Sequence, residues 1–124
     1  YSYWKKGFFC LIENKLKDVN IKINYFIFSD NVTKAKHILS SLNKSFIYCE
    51  NNHDYIDLWI MSLCHHNIIC HSTMGWWGTY LNKNKDKCVL YPSYTSYVYS
   101  KITRTPKEII QDNYLPSDWI SIDS

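Results

Sequence analysis

The sequence has few of the residues that mark disordered, fibrous or membrane-spanning chains. Its 124 residues include only three glycines and three prolines, which argues against a low-complexity or collagen-like chain. No run of 18 apolar residues occurs, so no membrane span is expected in this chain. Hydrophobic residues nevertheless make up 46% and aromatic residues 17% of the sequence. We therefore expect residues 1–124 to form a single domain around one modest core.

Charge of one sign is also scarce. The formal net charge is only +3, and the 14 lysines and arginines are spread along the chain without a dense basic block. We therefore expect no nucleic-acid partner, because nucleic-acid-binding surfaces concentrate basic residues. The sequence also lacks a glycine-rich P-loop ending in Lys-Ser/Thr, and Ser72 does not lie in a Gly-x-Ser-x-Gly motif. These absences argue against a P-loop enzyme and a serine hydrolase.

The five cysteines lack the even number and the regular spacing of a disulfide framework. Three of them fall in predicted strands, where cysteine acts as a small buried hydrophobe: Cys49, Cys70 and Cys88. This usage favours a reducing compartment over a secretory one. The Cys and His residues of 64–66 and 70–71 lack the spacing of zinc ligands, so no metal site is expected.

The chain opens at Tyr1, within a pattern and without an initiating methionine. We expect it to be a fragment of a longer protein whose N-terminal part precedes this sequence. The expected location is cytoplasmic or peripheral to a membrane. A Golgi membrane is the alternative if an N-terminal anchor is missing from the fragment.

Apolar patterns typical of helices and of strands alternate along most of the chain. Helices are predicted where apolar residues recur every three or four positions, and strands where short apolar runs end in polar residues. The predicted helices are 3–17, 32–39, 54–65 and 73–81, and the predicted strands are 24–29, 46–49, 68–70 and 88–91. This order predicts an α/β fold, a Rossmann-like parallel sheet flanked by helices. The continuous apolar run 24–29 predicts a strand covered on both faces.

The pattern weakens after Pro92. A group of tyrosines predicts a loop that either covers a ligand or packs on the sheet edge: Tyr91, Tyr94, Tyr97 and Tyr99. Ile109 and Ile110 predict a short helix, and residues 115–120 are expected to dock the tail of the chain.

Residues 67–82, with the sequence NIICHSTMGWWGTYLN, are predicted to form a strand, a tight polar turn and a helix. The start of a helix leaves backbone N–H groups unpaired. With the hydroxyls of Ser72 and Thr73 beside them, these groups can hold a phosphate. The same two residues also fit a plain N-cap without any binding role. Both interpretations are open on the residues alone.

The neighbours of this turn sharpen the prediction. Ligands of parallel sheets lie at the carboxyl ends of the strands, where Ser29 and Asp30 would meet the turn 71–73. Gly75 would allow another backbone or a ligand to come close. The pair Trp76-Trp77 is expected to pack on the sheet behind the helix.

Asp57 lies in a predicted helix, 54–65, that is apolar on nearly every side and is therefore expected to be buried. A buried carboxylate is costly unless something donates hydrogen bonds to it. Two explanations are open. Asp54 and Asp57 lie in the first helical turn, where acidic residues are favoured. Alternatively, Asp57 binds a ligand with two adjacent N–H donors, as guanine has on its N1 and N2 edge.

Three runs of this sequence resemble glycosyltransferase family 11, the α-1,2-fucosyltransferases: FIFSD at 26–30, DLWIMSLCHHNIICHSTMGWWGTYLN at 57–82 and LPSDWISI at 115–122. In that family a strand ending in Phe-Ser-Asp precedes a Met-Ser segment and a stretch like Asn-Ser-Ser-Phe-Ser-Trp-Trp-Gly-Ala-Trp-Leu. The resemblance spans about residues 3–122. It is most specific in 57–82, where order, spacing and the Trp-Trp-Gly core agree together.

The resemblance implies a GT-B architecture in which this chain is most of the C-terminal, donor-binding domain. It implies an inverting transfer of L-fucose from GDP-fucose to a galactoside-type glycan acceptor, in α-1,2 linkage, without a metal or other cofactor. The residues implied to hold the donor diphosphate are Ser72, Thr73, Met74 and Gly75. Asp57 would bind guanine, and the residues implied to lie near the donor are Ser29, Asp30 and His71. No catalytic residue is assigned.

Two features depart from the family pattern. His71 replaces the asparagine before the serine pair, Thr73 replaces the second serine, and Met74-Gly75 replaces Phe-Ser. The arginine-rich motif His-x-Arg-Arg-Gly-Asp-Tyr, which clamps the diphosphate in the family, does not occur in this sequence and would belong upstream of Tyr1. The alternatives are a non-catalytic nucleotide- or glycan-binding module, a GT-B transferase using another nucleotide sugar, and a structural protein that binds no nucleotide.

Overall fold

A computed structural model describes residues 2–18, 20–93 and 115–122. The helices are α1 (Ser2–Phe9), α2 (Val32–Leu39), α3 (Asp54–Leu63) and α4 (Thr73–Tyr80), with a π-helical segment at Cys10–Lys15 and a 3-10 turn at Ser40–Leu42. The strands are β1 (Tyr25–Phe28), β2 (Phe46–Cys49), β3 (Asn67–Ile68), β4 (Val89–Pro92) and β5 (Ile120–Ile122). The predicted alternation of strands and helices is confirmed.

All described strand pairs are parallel. β1 pairs with β2, with Tyr25 opposite Phe46. A second sheet has the order β3-β4-β5, with Leu90 opposite Ile68 on one side and Ile120 on the other. Parallel sheets flanked by helices agree with the predicted α/β, Rossmann-like fold. β5 was predicted only as a docked tail, because three residues that alternate apolar and polar carry little signal by themselves.

The N-terminal segment is helical, but it is not the single regular helix predicted over 3–17. α1 continues into the π-helical segment. The apolar stripe predicted for this helix comprises Trp4, Phe8, Leu11, Ile12 and Leu16, of which Phe8 and Leu11 are buried. Tyr3, off that stripe, is also buried, and its hydroxyl lies 2.6 Å from the carbonyl oxygen of Ile69 and 3.1 Å from that of Leu90. Burial, and then the nearby Cys70, raise the pKa of Tyr3 well above its usual value. The protonated hydroxyl therefore fastens α1 to β4 and the end of β3.

β4 forms the centre of the core. Leu90 is 0% exposed and Val89 is nearly so. On one face of β4, Val89 and Tyr91 cluster with Ile69 and Trp119, and Trp76 packs against them. On the other face, Leu90 clusters with residues of the π-helical segment and with Cys88. The prediction that Trp76 packs on the sheet is confirmed, whereas its neighbour Trp77 is exposed.

Other predicted burials are also wrong, and Cys49, expected to be buried, is half-buried. β1 is not covered on both faces, because Tyr25 and Ile27 pack on α1 and α2 while Phe26 on the other face is 41% exposed. Helix α3 has no buried residue, and Trp59 is 60% exposed. Cys70 is exposed and follows β3 rather than lying in it, since β3 ends at Ile68.

α3 packs mainly against α4 rather than against a sheet. A Cβ placed on Gly78 would lie 2.7 Å from Cβ of Met61 and 2.9 Å from its sulfur. Real Cβ atoms do not approach so closely, so only glycine at position 78 permits this helix contact. The apolar residues on the outer side of α3 remain exposed: Tyr55, Trp59 and Leu63.

Two asparagines join the ends of the segment 67–82. The side-chain amide of Asn82 donates to Oδ1 of Asn67 at 2.8 Å and to the carbonyl oxygen of Cys64 at 2.7 Å, and Asn67 donates to the carbonyl oxygen of Met61 at 3.0 Å. Both asparagines are buried. They supply partners for the last carbonyl groups of α3, which a helix leaves unpaired.

Some predictions lie outside the described residues, namely the loop with Tyr94, Tyr97 and Tyr99 and the short helix at Ile109 and Ile110. Tyr91, which was grouped with those tyrosines, lies in β4 and is buried. Among the described residues, no helix is long and apolar enough to cross a membrane.

Candidate functional site

The turn between β3 and α4 has the strand, turn and helix order predicted from the sequence. Ser72 is the N-cap of α4, and its hydroxyl oxygen accepts from the backbone N–H of Gly75 at 3.4 Å. The carbonyl oxygen of Ser72 accepts from the N–H of Trp76 at 3.0 Å. The N-cap interpretation is therefore confirmed. The bond to the hydroxyl is longer than the usual 2.7–3.2 Å, so it holds the hydroxyl only weakly.

The first turn of α4 offers further donors. Thr73 and Met74 are its first two helical residues, and a helix provides no acceptor for their backbone N–H groups. Thr73 is exposed and Met74 is half-buried. The positive end of the helix dipole adds to the field at this point. The turn thus combines two hydroxyls, two helix-terminal N–H groups and a partial positive charge, which suits an anion.

The other two residues proposed for the site in this segment are His71 and Gly75. Partial desolvation lowers the pKa of His71 below its usual value, although the residue as a whole is exposed. Gly75 is buried, but a Cβ there would lie 3.6 Å from Cβ of Ile69, which is ordinary contact. Within the protein, the close contact between α3 and α4 therefore requires glycine at position 78, whereas position 75 has room for a Cβ.

Ser29 and Asp30 follow β1. The Ser29 hydroxyl oxygen accepts from the backbone N–H of Asn31 at 3.1 Å, and the Asn31 side chain caps α2 by accepting from Lys34 N–H at 2.9 Å. Asp30 is exposed. Partial desolvation of the thiol raises the pKa of Cys70, a backbone hydrogen bond opposes this, and the negative charge of Asp30 adds to the rise. The Asp30 carboxylate therefore lies within electrostatic reach of Cys70, which precedes the β3–α4 turn.

Asp57 lies beside the end of β2. It is half-buried, and its Oδ1 accepts from the side-chain amide of Asn52 at 2.9 Å. Burial raises the pKa of the Cys49 thiol, and the negative charge of Asp57 is the second cause. The residues expected to flank a donor thus follow β1, β2 and β3, of which β1 and β2 form one sheet and β3 belongs to the other. No hydrogen bond joins Asp57 to Ser72 or Thr73 within the described residues.

Asn52 was not singled out from the sequence. Its neighbour Asn51 has φ of 61°, a left-handed conformation that asparagine tolerates better than most residues. Asn51 directly precedes Asn52, whose side-chain amide donates to the carboxylate of Asp57 five residues later. The sequence feature that could have pointed to Asn52 is the pair Asn51-Asn52, which lies between a strand and a helix start with acidic residues.

His66, near this region, has a structural partner. Nδ1 of His66 accepts from the backbone N–H of Cys88 at 3.0 Å, which ties the loop after α3 to the start of β4. All five cysteines are free thiols. In the part of the chain that the structure describes, no group of three or more His, Cys, Asp or Glu side chains could hold a metal ion.

Comparison with known proteins gives two curated relatives from Escherichia coli. The chain is 34% identical over 79 residues to the O-antigen biosynthesis glycosyltransferase WbnK, covering 62% of this chain and 26% of that protein. It is 34% identical over 74 residues to an alpha-1,2-colitosyltransferase, covering 57% of this chain and 25% of that protein. The chain thus spans about a quarter of the length of these relatives. No solved structure matches it.

A family-level comparison covers far more of the chain. The family model described as Glycosyl transferase family 11 matches residues 9–123, which include every described strand, helices α2 to α4 and the turn at Ser72. The resemblance seen in the sequence is therefore confirmed. The chain belongs to glycosyl transferase family 11, whose members are glycosyltransferases that bind a nucleotide sugar and a glycan acceptor.

Proposed function

We propose that this chain is most of the C-terminal, donor-binding domain of a GT-B glycosyltransferase that transfers L-fucose from GDP-fucose to a galactoside-type glycan. The transfer would form an α-1,2 linkage with inversion and without a metal. The observation that carries this proposal is that Asp30, the Ser72-capped start of α4 and the helix with Asp57 each follow the carboxyl end of a strand that belongs to a parallel pair, namely β1, β3 and β2 respectively. Ligands of open parallel sheets bind at such edges.

The turn at Ser72 supports the diphosphate assignment. Breaking the bond between fucose C1 and the β-phosphate oxygen leaves negative charge on GDP and positive character on the sugar. The N–H groups of Thr73 and Met74 have no acceptor within the helix, and the hydroxyls of Ser72 and Thr73 belong to the same turn. Groups fixed in this way stabilise a developing anion without reorganising during the reaction. The acceptor hydroxyl would attack from the opposite face of the sugar and invert C1.

The partly buried carboxylate supports the base assignment. Asp57 has acceptor capacity beyond its one bond from Asn52, because a carboxylate has about four lone-pair sites. Guanine presents two adjacent donors, N1–H and the 2-amino group, whereas uracil presents a single N–H on its pairing edge. Asp57 would therefore favour a guanine nucleotide over a uridine nucleotide. Ser29, Asp30 and His71 would line the donor between base and diphosphate.

One relative favours a second donor sugar. The chain shares 34% identity with a protein named for α-1,2 colitosyl transfer. A colitosyl donor is accordingly the second candidate, with the same linkage and the same proposed site. Comparing fucosyl and colitosyl donors at equal concentration in a transfer assay would distinguish the two.

Calorimetric titration of this chain with GDP, GDP-fucose, GDP-mannose and UDP-galactose tests the donor class. We expect the guanosine nucleotides to bind more tightly than UDP-galactose, and Asp57→Ala to weaken GDP about tenfold or more, since a hydrogen bond to a charged group contributes about 1.5–3 kcal/mol. Asp54→Ala is the matched control, because Asp54 is an exposed acid in the same helical turn. Equal binding of guanosine and uridine nucleotides would contradict the proposal, as would an Asp57→Ala variant with unchanged affinity.

A second titration isolates the diphosphate. Ser72→Ala should reduce the preference of the chain for GDP over guanosine, while Ser62→Ala, which removes an exposed hydroxyl on α3, should leave that preference unchanged. An equal preference for GDP over guanosine in the unmodified chain, in Ser72→Ala and in Ser62→Ala would refute the diphosphate site at Ser72. Both titrations are repeated on a longer family protein that contains this chain, since the arginine-rich motif of the family is not in these residues.

The location proposed for the protein is cytoplasmic or peripheral to a membrane. The five free thiols support a reducing compartment. Fractionation of cells that express the full protein, with salt and carbonate washes of the membrane fraction, would test this.

A further inference from the structure

The carboxylate proposed to bind guanine is held by a side chain that lies outside its helix. The amide of Asn52 donates to Oδ1 of Asp57 at 2.9 Å. Asn52 precedes α3, and Asn51 before it adopts the left-handed φ of 61°. The loop between β2 and α3 is therefore shaped so that an amide donor lies against this particular acid.

The bond does not belong to the capping of α3. The N-cap of the helix is His53, whose side chain makes no capping bond, and the position of a capping box acid is taken by Ile56. Asp57 lies one residue further along. Among the described residues Asp57 forms no ion pair, and Asn52 is its hydrogen-bond partner. Helix capping therefore does not account for the pairing of these two side chains.

We propose that Asn52 is a positioning residue for recognition of the purine base. Its amide fixes the rotation of the Asp57 carboxylate, so that both oxygens face the N1–H and 2-amino donors of guanine together. Oδ1 can accept from Asn52 and from one base donor at once, because each carboxylate oxygen has two lone-pair sites. This inference rests on the proposed function, since it requires that Asp57 contacts the base.

The readout is the affinity of the full chain for GDP divided by its affinity for IDP. Inosine lacks the 2-amino group, so IDP offers the carboxylate only one donor. A rotationally fixed carboxylate gains most from the ligand with two donors. Removing Asn52 should therefore weaken GDP more than IDP, whereas a general loosening of the loop would weaken both alike.

The variants are Asn52→Ala, Asn52→Asp and Asp57→Ala, titrated with GDP and IDP after thermal melting shows each to be folded. We expect Asn52→Ala to lower the GDP-to-IDP ratio about fivefold, the value of one ordinary hydrogen bond. Asn52→Asp should lower it further, because it has the same shape but places a carboxylate against Asp57. Asn84→Ala is the control, since the Asn84 amide donates to the carbonyl oxygen of His65 beyond the other end of α3.

The outcomes separate this inference from the proposed function. A GDP-to-IDP ratio that falls in Asp57→Ala but is unchanged in both Asn52 variants overturns the role of Asn52 alone. An Asn52→Asp variant that matches wild type while Asn52→Ala is impaired also overturns it, because shape rather than the donated hydrogen bond would then be what matters. A ratio that is unaffected by Asp57→Ala overturns the base site itself and, with it, this inference.

Discussion

Two regions of the molecule use similar apolar sequences in different ways. The inner region comprises β3, β4, β5 and α4, and it contains the fully buried residues Val89, Leu90 and Thr79. The outer region comprises β1, β2 and α3. It exposes Phe26 and Ile47, which are opposite each other in the β1–β2 pair, together with Trp59. Hydrophobic sequence alone therefore does not decide burial; it also requires a neighbouring element that covers the residue.

The two regions also divide the proposed donor site. The turn at Ser72 belongs to the inner region, whereas Asp57 belongs to the outer one. They are joined where Met61 of α3 contacts Gly78 of α4 and where Asn67 and Asn82 bind the end of α3. Substitutions that compare the regions should thus show different costs, and substitutions at the joint should affect both.

The largest expected effect contrasts the cores of the two regions. Leu90→Ala should lower the free energy of unfolding by about 3 kcal/mol, because it leaves a cavity at a position that is fully buried. Phe26→Ala, in the outer region, should cost less than half as much despite removing a larger side chain, since Phe26 is 41% exposed. Denaturant unfolding measures both. Equal costs would show that the outer face of β1 is covered in solution.

The joint between the regions is tested by two glycines of α4. Gly78→Ala should lower the free energy of unfolding by about 1–3 kcal/mol, since the added Cβ would lie 2.7 Å from Cβ of Met61. Gly75→Ala should be neutral or stabilise by up to about 1 kcal/mol, because alanine favours helix and the nearest side-chain atom is 3.6 Å away. A Gly78→Ala variant as stable as Gly75→Ala would mean that α3 is free to move away from α4.

The inner region also contains a buried polar group whose removal should stabilise the protein. Thr79 is fully buried, and its hydroxyl oxygen has no hydrogen-bond partner among the described residues. Thr79→Val keeps the shape and removes the unpaired hydroxyl, so it should raise the free energy of unfolding by about 1 kcal/mol. A loss of stability in the valine variant would contradict this expectation and show that the hydroxyl has a partner in solution.

The smallest expected effect is a pH dependence at the loop after α3. Burial, then Lys15 and His65, lower the pKa of His66, and its Nδ1 accepts a bond that protonation would break. The unfolded chain therefore binds this proton more tightly than the folded one. The contribution of His66 is fully present above about pH 6.5 and is lost as the pH falls through the lowered pKa of the folded state.

His66→Asn offers the matching control, because an asparagine oxygen can accept the Cys88 N–H but does not titrate near neutral pH. Melting temperatures measured from about pH 7.5 to about pH 5 should fall more steeply in the natural protein than in His66→Asn. Parallel curves would refute the assignment. His71, whose pKa partial desolvation also lowers, is present in both proteins and cancels in the comparison.

The fold was largely predictable because its elements have strong local signals. Short apolar runs predicted β1, β2 and β4, and the Ser72 cap predicted the start of α4 at Thr73. What could not be predicted was which apolar faces another element of the fold covers. α3 is apolar on nearly every side, yet nothing in its own sequence specifies whether another element packs on Trp59. The π-helical turn after Phe9 and the short β5 also depend on packing rather than on local pattern.

The candidate site was predictable where a residue type carries its own chemistry. Ser72 and Asp30 follow strands as predicted, and the Asp30 carboxylate lies within electrostatic reach of Cys70. Asn52 escaped prediction because asparagines before a helix are usually turn or cap residues. Its role becomes visible only when the loop places the amide 2.9 Å from the Asp57 carboxylate.

The bond between Asn67 and Asn82 has a consequence for how the chain folds. It closes a loop between residues only 15 positions apart, and the entropy lost in closing a loop grows slowly with its length. The pairing of Leu90 with Ile120 joins residues further apart in sequence. Contacts between sequence neighbours form faster than distant ones. The strand, the turn at Ser72 and α4 should therefore assemble as a local unit before β5 joins the sheet, which hydrogen exchange labelling during refolding would reveal as earlier protection of α4 than of β5.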